Sequence, residues 1–139
     1  MLANPLAPWM KLVLRFVACY NVLAGVNMFC FYHESYKAMG VAKPELNLPI
    51  QLVGVLVALF GVGYWMVADD PVENRNVLLL GFWSKLLGSV LGIYYVVAGK
   101  LPPIFLAILF FSDLIYLPPF YVILRRLFRL AGERDASQA

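Results

Sequence analysis

Residues 77–124 read VLLLGFWSKLLGSVLGIYYVVAGKLPPIFLAILFFSDLIYLPPFYVIL. Two apolar runs, 77–98 and 104–124, flank the turn Gly99-Lys100-Leu101-Pro102-Pro103. Each is about 20 residues long, enough for an α-helix to cross ~30 Å of hydrocarbon. The short turn makes the two helices consecutive and antiparallel, and each carries one charge near its middle, Lys85 and Asp113. Two further runs, 12–32 and 50–68, repeat the pattern without a central charge. The chain is therefore predicted to be all-α: an integral membrane four-helix bundle forming a single transmembrane domain over residues 1–139. Residues 125–139 are expected to be a basic cytoplasmic tail.

The composition agrees. Of 139 residues, 63% are hydrophobic and 14% charged, whereas soluble domains run at about half apolar and a quarter charged. A soluble chain this short would need far more polar surface. Soluble enzyme, nucleic-acid module and disordered linker are all disfavoured. The net charge of +3 matters less than its placement. Arg125, Arg126, Arg129 and Arg134 follow the last span directly, which reads as a positive-inside anchor and not as a nucleic-acid surface.

Orientation follows from the lysines and arginines. Lys11, Arg15, Arg75 and those four arginines fall on one side, seven in all. Lys37, Lys43 and Lys100 make three on the other, and Lys85 is left inside the membrane. Seven against three puts both termini in the cytoplasm. A bacterial cytoplasmic (inner) membrane is the expected location. The connection 33–49 would then face the periplasm, with a short amphipathic helix in the interface. Phe16-Val17-Ala18-Cys19 superficially resembles a lipoprotein cleavage site, but Lys11 and Arg15 leave too short an apolar stretch before it. An uncleaved first span is expected. Trp9, Trp65, Trp83, Tyr94 and Tyr95 read as an aromatic belt.

Each span opens on a proline signal: Pro8, Pro49, Pro71 and Pro102-Pro103. Proline suits a first helical turn, where the amide it lacks has no intrahelical partner. Asp70-Pro71-Val72-Glu73 additionally reads as a capping-box analogue for the third helix. Cys19 and Cys30 are eleven residues apart, about 16 Å along a helix, too far to bond to each other. They are expected to be small apolar packing residues. With one histidine in the chain, no metal or cofactor framework can be assembled from spacing.

Lys85 and Asp113 are the candidate site. A lone charge at the bilayer centre costs about 2.5–3.5 kcal/mol on insertion scales. Counted from the turn, Lys85 lies about 24 Å down its helix and Asp113 about 18 Å, a gap the lysine stem can close. The two are expected to pair, assisted by Ser84, Ser89 and Ser112. The pair either fixes helix register or marks a ligand or proton site. Asn21 near mid-depth of the first helix, with Tyr20 beside it, and Tyr64 and Tyr116 reach the same level. Together with Ser112 they could enclose a small polar pocket in an apolar sheath. Pro118-Pro119 should kink the fourth helix, freeing the carbonyls of Leu114 and Ile115 beside Asp113. Ser84, Gly88 and Gly92 form a small-residue ridge on the third helix, and Gly54, Ala58 and Gly61 a groove on the second. These are read as internal contacts, one face being able to take a partner subunit.

Gly63-Tyr64, Asp70-Pro71, Lys85-Leu86-Leu87-Gly88, Gly99-Lys100-Leu101-Pro102 and Ser112-Asp113-Leu114-Ile115-Tyr116 with Pro119-Phe120 carry a resemblance. Over roughly residues 50–124 the chain resembles small four-span bacterial membrane proteins of unknown function, loosely similar to the DoxX-like class. Members of that group often carry tryptophans after the aspartate, where this chain has Tyr116 and Leu117. The resemblance implies a four-helix bundle and no particular reaction.

Three functions remain open. The first is a non-catalytic accessory subunit, or a binder of a lipid- or quinone-like apolar small molecule near Lys85 and Asp113. The second is a proton- or ion-coupled transporter or channel acting as a homo-oligomer. The third is a membrane enzyme using Lys85 as base, with Asp113 or His33 assisting. Expected partners are the lipid bilayer, with either another membrane protein or a second copy, and no nucleic acid.

Overall fold

A computed structural model describes residues 5–139, and among them every regular element is helical. The helices are α1 (Pro8–Cys30), α2 (Tyr32–Met39), α3 (Leu48–Asp69), α4 (Arg75–Val97), α5 (Ile104–Ser112) and α6 (Leu117–Gln138), with a 3-10 turn at Leu114–Tyr116. Four stretches are long and apolar enough to cross a membrane: α1, α3, α4, and the α5–α6 stretch taken together. Large apolar side chains such as Leu23, Leu59, Leu87 and Phe111 face outward along all of them. Water would not tolerate so much apolar surface, and lipid does. The chain is a membrane protein.

Local chemistry sets the ends. Pro8 opens α1 and Pro49 sits in the first turn of α3. Gly40 and Gly99 adopt the left-handed backbone that closes α2 and α4, at φ of 68° and 73°. After Gly99, the Lys100 amide bonds the Tyr95 carbonyl at 2.9 Å and the Gly99 amide bonds the Val96 carbonyl at 3.0 Å. That paired capping stops the helix where Pro102 and Pro103 follow. The loop between α3 and α4 differs from the capping-box expectation. Pro71 lies in a turn, and α4 begins at Arg75 without a side-chain cap. Asn74 instead donates to the Met66 and Asp70 carbonyls, each at 3.0 Å, and so closes the end of α3.

The helices meet unequally along their length. At the proximal end, where α1 begins, α3 ends and α4 begins, apolar side chains from all of them and from α6 form one core. Met10, Leu14 and Val17 meet Tyr64, Val67 and Ala68, with Leu78, Phe120, Ile123, Leu124 and Leu127 completing it. At the distal end the buried residues belong to two separate pairs. Gly25 of α1 abuts Gly54 and Ala58 of α3, with a Cβ on Gly25 falling 2.6 Å from the Ala58 amide nitrogen. Gly61 likewise lies against the Ala18 carbonyl. The groove of Gly54, Ala58 and Gly61 is thus filled by α1. Gly92 of α4 takes the Leu109 and Phe105 side chains of α5.

Three expectations are corrected by these contacts. Ser84 and Gly88 face outward, and a Cβ on Gly88 would meet nothing. The inward face of α4 is Leu78, Gly81, Lys85, Ser89 and Gly92, so only Gly92 of the expected ridge packs internally. Cys19 and Cys30 are free and exposed, not packed in the core. The fourth helix breaks before the proline pair, at Asp113, whose backbone has φ −131° and ψ −56°. Pro118 and Pro119 fall in the first turn of α6, where a missing amide costs little. The Leu114 carbonyl is not freed, because it accepts from the Leu117 amide.

Candidate functional site

The break in the fourth span creates the site. In an unbroken α-helix the Tyr116 amide would reach the Ser112 carbonyl. Here it goes to the Asp113 carbonyl at 3.1 Å, leaving the Ser112 oxygen free to face α4. A freed carbonyl in hydrocarbon needs a donor. Lys85 supplies it at 2.8 Å. The Lys85 ammonium also donates to Asp113 Oδ1 at 3.1 Å and, at the limit of reach, to Asn21 Oδ1 at 3.5 Å. Three ammonium hydrogens meet three acceptors, so the buried cation is satisfied. Both charges also suit the helix ends that the break exposes. The lysine sits at the C-terminal end of α5 and the aspartate ahead of the N-terminal side of the next segment.

Four helices contribute. Asn21 of α1 donates its amide to the Val57 carbonyl of α3 at 3.4 Å, linking α1 to α3 as well as to Lys85. Tyr20 of α1 shares a 2.7 Å hydrogen bond with the Ser112 hydroxyl, and its ring lies 6.2 Å from that of Tyr116. The Lys85 ammonium stands over the Tyr116 ring at 5.2 Å and the Tyr64 ring at 5.9 Å. These two tyrosines therefore offer the cation their ring faces. Cation–π contact partly replaces the water that burial removes. Tyr64 is held by the T-shaped stack on Phe120 at 5.2 Å and by Gly81, where its ring leaves no room for a Cβ.

The sequence-predicted residues Lys85, Asp113, Asn21, Ser112, Tyr64 and Tyr116 thus come together at one level. Ser112 acts through its backbone carbonyl on Lys85 and through its hydroxyl on Tyr20. Ser84 does not join them, since it faces outward. Ser89, one turn from Lys85 on the same face, is 1% exposed and its hydroxyl has no partner among the described residues. Tyr20 is the contributor whose role the sequence gave least reason to assign. Its signal is adjacency to Asn21, and only the α1–α5 approach turns that into a contact. His33 is exposed on α2, remote from the cluster in the chain and in the fold. Among the described residues no group of histidine, cysteine, aspartate and glutamate could hold a metal ion.

The pair is unevenly enclosed. Lys85 is 5% exposed and Asp113 30% exposed at the side chain. Phe110, Phe111 and Ile115, near Asp113 in the chain, are exposed. The other two ion pairs among the described residues, Arg15–Asp69 at 3.5 Å and Arg134–Glu73 at 2.6 Å, are exposed at the proximal rim. Such pairs contribute about 0–1 kcal/mol. No family model, curated protein or solved structure matches this chain.

Proposed function

We infer that the protein is a non-catalytic membrane module that holds a lipid- or quinone-like small molecule at Lys85 and Asp113, by itself or as an accessory subunit. In this reading it sits in a bacterial cytoplasmic membrane with both termini inside, as the excess of basic residues at the proximal rim favours. The observation that carries it is the unequal burial of the pair. Lysine and aspartate neutralise each other, so the occupant need bring no charge. The lysine donors are used, whereas Asp113 Oδ2 has no hydrogen bond among the described residues and its side chain is part-exposed. The occupant would have an apolar body lying along Phe110 and Ile115 and a hydroxyl or N–H head donating to that oxygen. A quinol or a hydroxylated lipid has this chemistry. Ser112, Tyr20, Asn21, Tyr64 and Tyr116 hold the pair in position. The likeness to the DoxX-like class, read from the sequence, adds a fold expectation and no ligand.

Native mass spectrometry of gently purified protein tests this. One apolar adduct per chain is expected on the wild type. It should be lost on the double variant Lys85→Met with Asp113→Leu, which removes both charges together and leaves neither unpaired. Wild-type protein without an adduct, or a double variant that keeps it, would overturn the reading.

The broken fourth helix favours a second reading, since transporters bind ions at interrupted helices near the midplane. Four spans would then work as an oligomer. Crosslinking in native membranes discriminates: a strict monomer excludes coupled transport.

A further inference from the structure

A second feature lies away from the midplane pair and is independent of it. At the proximal rim, Arg125, Arg126 and Arg129 of α6 line a groove of about 700 Å³ together with Met10 of α1 and Tyr121 and Val122. That volume falls within the range of small-molecule sites, ~300–1,000 Å³. The three ion pairs among the described residues use Arg15, Lys85 and Arg134. Among the described residues, none of the three groove arginines has an acidic partner. The Arg125 guanidinium rests 6.0 Å over the Tyr121 ring, which fixes its stem without neutralising it. Three like charges within five residues repel one another, and an anion between them would relieve this.

We propose that this groove binds the headgroup of an anionic phospholipid, with preference for one carrying two phosphates. The placement selects a lipid over a soluble phosphate compound. Arg125 is the first charge after the apolar run ending at Leu124, so the guanidiniums stand at headgroup level. Tyr121, Val122 and Met10 line the same groove on the apolar side, where acyl chains begin. One phosphodiester would leave two of three arginines uncompensated; two phosphates on one headgroup compensate most of the charge. Arginine suits the role because its planar fork pairs with phosphate oxygens two at a time. A diffuse positive-inside field would require neither a groove nor an apolar lining.

The test is native mass spectrometry of the full chain in neutral detergent with phosphatidylcholine, phosphatidylglycerol or diphosphatidylglycerol added at equal concentration. Diphosphatidylglycerol should be retained about tenfold or more over phosphatidylcholine, with phosphatidylglycerol between them. Two variants separate charge from shape. Arg125→Gln with Arg126→Gln and Arg129→Gln should abolish the preference. Val122→Trp, which keeps every charge and fills the groove from an exposed position, should weaken it several-fold. Each leaves Lys85 and Asp113 untouched, so an adduct at the midplane pair persists and is told apart. Three results would overturn the proposal: phosphatidylglycerol, added at twice the concentration so that total lipid charge is equal, retained as well as diphosphatidylglycerol; a Val122→Trp protein that binds like wild type; or displacement of the lipid by millimolar inorganic diphosphate. The last would make the groove a site for free phosphate.

Discussion

The proximal and distal halves of this molecule share the long apolar helices α1, α3 and α4, yet they pack by different means. The proximal half has one core in which side chains of α1, α3, α4 and α6 interlock around Tyr64 and Phe120. The distal half has two helix pairs that meet at glycines: the Gly25 and Gly54 backbones approach each other, and Gly92 takes the Leu109 side chain. In lipid, apolar side chains gain nothing by leaving hydrocarbon for one another, so packing quality and polar contacts decide where helices touch. The Lys85 cluster sits where the two arrangements meet. It ties α1, α4 and the broken fourth span together at the level where the shared core gives out.

That difference can be broken most strongly at the cluster itself. Lys85→Met leaves Asp113 without its cation and is expected to destabilise the fold by about 3–5 kcal/mol. Adding Asp113→Leu should recover most of this loss, measured by resistance to unfolding in mixed micelles. If the double variant is as unstable as the single one, Lys85 acts through packing and not through charge. The next largest effect separates the halves. Leu78→Ala opens a cavity in the proximal core and should cost about 2 kcal/mol or more. Leu91→Ala on the distal, outward face of α4 should stay within about 0.5 kcal/mol. Similar costs at the two positions would mean that the distal half has a core of its own. The smallest effect sharpens the packing of α4. Gly92→Ala must displace the Leu109 side chain and should cost about 1–3 kcal/mol. Gly88→Ala meets open space and should be neutral or stabilising by up to about 1 kcal/mol.

Much of the fold was legible because its signals are local. Span lengths, the proline openings of α1 and α3, and the glycine stop before Pro102 all depend on residues within a few positions of one another. The pairing of Lys85 with Asp113 was legible for a different reason: two isolated charges in consecutive antiparallel spans have few other partners in hydrocarbon. The facing of α4 was not legible. Its helix is apolar nearly all round, so periodicity marks no buried stripe. Ser84, Gly88 and Gly92 therefore suggested the wrong ridge, whereas the packed face runs through Gly81, Lys85 and Ser89. The break was misplaced because proline chemistry alone pointed to Pro118-Pro119. Nothing local to Asp113 announces that its backbone leaves the helix.

By itself, then, the sequence determined the class of protein, its four apolar spans and the two charges that stand apart within them. These follow from composition and from the price of an ion in hydrocarbon, which do not depend on neighbours distant in the chain. The tertiary structure alone decided that the fourth span breaks at Asp113, that the freed Ser112 carbonyl becomes a ligand for Lys85, and that Tyr20 and Asn21 reach over from α1. A carbonyl carries no side-chain signature. Its availability depends on whether the next turn of helix claims it, and that is settled only once α4 has presented a cation to take it.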